Sequence, residues 1–132
     1  MSPSTARPTT REVVEQVVAA CDGAAAGASG ERRVVDASEW LEDEGGLDEL
    51  YEVWSAEYTA ALDVCRGLLG PPSYDEASAR EDVDVWYAEA MRIACWRRGE
   101  RTVYLALEHA DREAPIAVTA GWIGDEEIER LR

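Results

Sequence analysis

His109 is the only histidine in the chain, and Glu108, Asp111 and Glu113 lie close to it in sequence. An imidazole among carboxylates is the raw material of a metal site or of a general acid–base pair. A single histidine needs several carboxylate or thiolate partners to hold a metal, however, and these residues fall where the chain is expected to turn between two strands. The cluster therefore reads as a solvated polar turn. Cys21, Cys65 and Cys95 have no histidine beside them and form no CxxC pair. A Cys–His nucleophile would have to be assembled by folding with His109 alone, and three widely spaced cysteines argue against a disulfide framework. Each reads as a small buried hydrophobe. No HExxH, P-loop or GxGxxG is present. No residue is assigned a catalytic, metal-binding or cofactor-binding role, and a binder is favoured over an enzyme.

Carboxylates are the abundant chemical group. Asp36, Glu39, Glu42, Asp43, Glu44, Asp48, Glu49, Glu52, Glu57 and Asp63 follow one another without an intervening basic residue. Asp36 with Glu39, or Asp43 with Glu44, has the makings of a divalent-cation site, but the ligand order and central glycine of an EF-hand are missing. In a chain with 28 acidic residues, carboxylate pairs arise at any spacing. The block is more informative as a field: it repels anions and steers cationic partners into encounter. Asp36, Glu39, Glu42, Asp43, Glu44, Asp48, Glu49 and Glu52 are the expected partner-contacting residues, rimmed by Asp75, Glu76, Glu81 and Asp82. Direct nucleic-acid binding is disfavoured by the formal charge of −15 over 132 residues. The one basic cluster, Arg97, Arg98 and Arg101, lies around the first expected hairpin turn, where it either pairs with acidic residues locally or tips the hairpin in solvent.

Part of the charge has a compositional explanation. The chain has no Lys, Phe or Asn but is rich in Arg, Ala, Gly and Val, as a GC-rich genome produces, and acidic surfaces promote solubility in general. That explains the total better than the clustering. No apolar run approaches the ~20 residues of a membrane span, and the first eight residues carry no apolar signal-peptide segment, so a cytoplasmic location is expected.

These groups must be positioned by one domain's worth of elements. Residues 1–8 read as a disordered tail and 9–132 as a single α+β domain. Thr9 with Glu12 makes a capping box for a helix carrying Val13, Val14, Val17, Val18 and Cys21 on one face. The segment 23–30, rich in Gly and Ala, reads as a connector, and Arg32 to Val35 as a short strand. Asp36 with Glu39 would cap a brief helix holding Trp40 and Leu41, ended by Gly45 and Gly46. Leu47 to Leu69 is a long amphipathic helix. Leu50, Tyr51, Trp54, Tyr58, Ala61, Leu62, Cys65 and Leu69 share its apolar face, with Trp54 at the centre, and Gly70-Pro71-Pro72 stops it. Residues 72–82 read as a polar loop. Alternation at Val85, Tyr87, Met91, Ile93 and Cys95 suggests a strand over about 84–97, although Ala88 to Arg92 are good helix formers. Further strands follow around Val103, Leu105 and Leu107 and over Ile116 to Ile123. Asp125 caps a short terminal helix with Ile128 and Leu131 turned inward. The expectation is N-terminal helices, the long one packed on a C-terminal three-stranded antiparallel meander.

An amphipathic helix ending Leu68-Leu69-Gly70-Pro71, then Trp86 and a meander with His109-Ala110-Asp111 and Pro115 in its second turn, resembles small acidic bacterial immunity proteins of polymorphic toxin systems over roughly residues 47–123. The resemblance implies a cytoplasmic protein that covers a toxin's active surface and has no catalytic residues of its own. The expected function is neutralisation of a basic protein partner by steric occlusion with electrostatic steering. Two alternatives stand beside it. One is a small enzyme or ligand-binding domain with a pocket between helix and sheet, lined by Glu89, Arg92 and His109. The other is an inhibitor that imitates nucleic acid with a row of carboxylates. Trp96 and Trp122 are possible exposed interface anchors.

Overall fold

A computed structural model describes residues 9–25, 27–38, 47–77, 87, 90–109 and 114–131. Helix α1 spans Thr10–Gly23 and opens with the expected capping box. The Thr9 hydroxyl accepts from the Glu12 N–H at 3.1 Å, and the Glu12 carboxylate accepts from the Thr9 N–H. Val13, Val14, Val17 and Cys21 fall on one side and are buried. Helix α2 spans Leu47–Leu69, as its periodicity predicts. It ends at Gly70, whose φ of +80° a side chain would disfavour. The third helix, α3, is the short terminal Asp125–Leu131.

The fold is α+β, but the sheet is wider than the expected meander. Its strands are β1 (Glu31–Ala37), β2 (Tyr74–Ala77), β3 (Ala90–Arg98), β4 (Arg101–His109) and β5 (Ile116–Gly124). Their order is β1-β5-β4-β3-β2, and every neighbouring pair is antiparallel. The meander is β3-β4-β5, with the Arg98–Arg101 hairpin where it was expected. The added strands sit at the two edges. The anticipated Arg32–Val35 strand is β1, bulged between Val34 and Asp36. Strand β2 lies in what was read as a polar loop: its pairing with β3 comes from the neighbour's backbone, a signal that four residues of sequence do not carry.

The connection from β1 to β2 explains the length of α2. The helix links opposite edges of the sheet, four strand spacings or about 19 Å apart, and its 23 residues span about 34 Å. Together α1 and α2 cover one sheet face, where Ala94, Trp96, Val103, Leu105, Leu107, Ile116, Val118, Ala120 and Trp122 form the main core with Tyr58, Ala61, Leu62 and Cys65. Tyr58, wholly buried, is the centre of α2's inner face; Trp54 is only partly buried against that core. The opposite sheet face holds a second cluster of Tyr87, Ala90, Ile93, Cys95, Tyr104 and Ala106. With both faces covered, β5 is buried almost throughout, which is why it reads as a run of small and apolar residues. Gly121 belongs to this crowding: a Cβ there would lie 2.2 Å from the Glu31 carbonyl and 2.4 Å from the Tyr104 hydroxyl.

Two expectations need correction, and two others fall outside the described residues. The first meander strand starts at Ala90, not about residue 84; Tyr87 is outside it, and 84–86, 88 and 89 lie outside the described residues. Leu131 is 53% exposed, and α3 buries none of its residues, since Gly124 hands the chain directly from β5 to the domain's rim. The expected tail 1–8 and brief helix at Trp40 and Leu41 lie outside the described residues. All three cysteines are buried, and none forms a disulfide. No described helix is long and apolar enough to cross a membrane.

Candidate interaction surface

The inner face of α2 is committed to the core, so its outer face carries whatever the helix offers to other molecules. Asp48, Glu49, Glu52 and Asp63 are exposed there, and Glu57 is exposed on its flank. At about 100° per residue, Glu49, Glu52 and Asp63 cluster opposite Tyr58. Val53, 56% exposed, stands among them. Asp48 and Glu49 occupy the first turn, where the helix dipole favours negative charge. Asp36, on β1, is partly buried, and its Oδ1 accepts from the Ala37 N–H at 2.9 Å.

Of the expected contact residues, the structure places Asp48, Glu49 and Glu52 on one helix surface and Asp36 at the sheet edge. Glu39, Glu42, Asp43 and Glu44 lie outside the described residues, as do Glu81 and Asp82 of the expected rim. Asp75 and Glu76 belong to β2. Glu57 was part of the acidic block but not singled out; it joins Asp36 on the rim of a groove of about 220 Å³ between α1, β1 and α2.

Arg66 is exposed in the last turn of α2 itself, whereas the arginines of α1, β1 and the β3–β4 hairpin are engaged elsewhere. Arg97 forms a bidentate pair with Asp125, at 2.7 and 2.9 Å, and Arg98 pairs with Asp22. Arg11 pairs with Glu15, Arg33 with Glu31 and Arg32 with Glu108. Arg101 donates to the carbonyls of Cys21, Ala24 and Ala25, and its guanidinium stands 5.2 Å above the Trp122 ring. These bonds close the C-terminal end of α1 onto the β3–β4 hairpin. A second groove, of about 360 Å³, lies in this seam, lined by Asp22, Arg98, Arg101, Glu126 and Glu127 among others. Glu127 there accepts from the Gly30 N–H at 2.8 Å. Arg97 and Arg98 thus pair with acids, but with ones 28 and 76 residues away in sequence, and Arg101 binds backbone carbonyls instead. The Arg98 bond draws Asp22 below the usual carboxylate range, and the Arg97 bond does the same for Asp125.

His109 is not in a solvated turn. It is the last residue of β4, opposite Ile116, with Nδ1 2.7 Å from the Tyr51 hydroxyl and its ring edge-on to that tyrosine. Its Nε2 is buried without a hydrogen-bond partner among the described residues. Strand β4 runs two residues further than alternation suggested, which carries the imidazole under α2. Arg92 is also held by α2: it lies 4.6 Å from the Tyr58 ring centre and donates to Ser55 and Thr59. Neither residue lines either groove described above, and Glu89 lies outside the described residues. Trp96 and Trp122 are each 4% exposed and so are core, not surface anchors; the Trp96 indole N–H donates to the Gly70 carbonyl at 2.9 Å.

A polar network on the second sheet face has no counterpart in the sequence reading. The Tyr87 hydroxyl donates to Glu108, Arg32 donates to the same carboxylate, and Thr119 bonds the Tyr87 oxygen. Burial and the neighbouring Glu108 raise the Tyr87 pKa, keeping the phenol protonated as the donor. The members come from β1, β4, β5 and residue 87, so only folding brings them together. Their groups satisfy one another, which suits holding the sheet's register. No three His, Cys, Asp or Glu side chains gather in metal-binding geometry among the described residues. Comparison with protein-family models, curated proteins and solved structures gives no match.

Proposed function

We propose that this chain is an acidic protein-binding module that engages a basic protein partner and neutralises it by covering its surface, as an immunity protein covers a toxin. One observation carries the reading. Asp48, Glu49, Glu52, Glu57 and Asp63 stand exposed along α2, while Arg11, Arg32, Arg33, Arg97 and Arg98 are paired with carboxylates elsewhere. Charge serving only the fold is neutralised locally; carboxylates that outnumber the single Arg66 on one helix make the potential more negative where a cation approaches. Val53 supplies an apolar contact inside that field, the composition expected at an interface centre ringed by polar groups. Occlusion requires complementarity alone, so this reading asks no residue to be catalytic.

The test is capture from the native host by the tagged full-length protein at low ionic strength, beside a variant with Glu49, Glu52 and Asp63 changed to Arg. A basic protein retained by the wild type, released by the variant and inhibited in its own activity on mixing supports the proposal. Equal retention by both proteins overturns it.

A further inference from the structure

We draw no further inference here: the strongest candidate, the outer face of α2 where exposed Val53, Ala56, Ala60 and Gly67 recur between Glu49, Glu52 and Asp63, belongs to the acidic surface already described, and nothing in the structure shows what covers it.

Discussion

Reversing Glu49, Glu52 and Asp63 to Arg takes the formal charge from −15 to −9 without touching a buried group. Asp48 is retained so that one carboxylate in the first turn still complements the positive end of α2. The expected effect on association follows from Coulomb's law. Each reversal changes the charge facing a partner cation by two units. At a separation of about 10 Å in water that amounts to about 0.8 kcal/mol, or about 2.5 kcal/mol for three unscreened pairs. A Debye length of about 30 Å at 10 mM salt leaves about 1.8 kcal/mol, a slowing of roughly 20-fold; at 150 mM the length of about 8 Å leaves about 0.7 kcal/mol, roughly threefold. The assay is stopped-flow association with the captured partner at both ionic strengths, with the dissociation rate measured separately, because steering acts mainly on encounter. Circular dichroism and the melting temperature report that the variant is folded. Association at the wild-type rate in 10 mM salt would falsify the steering argument and reduce the acidic face of α2 to solubility charge.

Tyr58→Ala is expected to cost about 3–5 kcal/mol in chemical denaturation, since a wholly buried aromatic is removed. Trp54→Ala, at a partly buried position, is expected to cost about half as much; the reverse order would show that the inner face of α2 has been assigned wrongly. Burial pushes the Cys65 thiol up to about 12 and raises that of Cys21. A thiol reagent at pH 8 should therefore modify none of the three cysteines in the native protein and all of them in denaturant; rapid native labelling would contradict the packing. Asp22 and Asp125 have folded pKa values below their unfolded ones, so over that interval the unfolded state binds more protons. Their contribution is present above about pH 3.9 and is lost as pH falls through the folded values. The Asp22→Asn, Asp125→Asn double variant should show a shallower loss of stability between pH 4 and 2, and an unchanged acid limb would count against those pairs.

The amino-acid sequence by itself determined the elements whose signals are local. Thr9 and Glu12 mark the start of α1 within one turn, and Tyr58, Ala61, Leu62 and Cys65 recur at the helical period that defines α2's inner face. Gly70 at positive φ ends that helix, and the Arg98–Arg101 turn joins two strands. The acidic outer face of α2 follows from the same periodicity, because what does not point inward must point out. Only the tertiary structure decided matters that depend on a distant neighbour. Strand β2 exists through the backbone groups β3 offers it, and β1 lies beside β5, some eighty residues later in the chain. A short polar segment cannot signal such pairing, because its hydrogen-bond partners are absent from its own window. His109, read as a turn, becomes the partly buried end of a strand once α2 brings Tyr51 to it. Trp96 and Trp122 show why alternation alone cannot say which face of a strand is buried: both lie on the face that α1 and α2 cover, so neither indole reaches the surface. Asp36 and Glu57 stand twenty-one residues apart in sequence and share a groove because β1 and α2 meet over the same core.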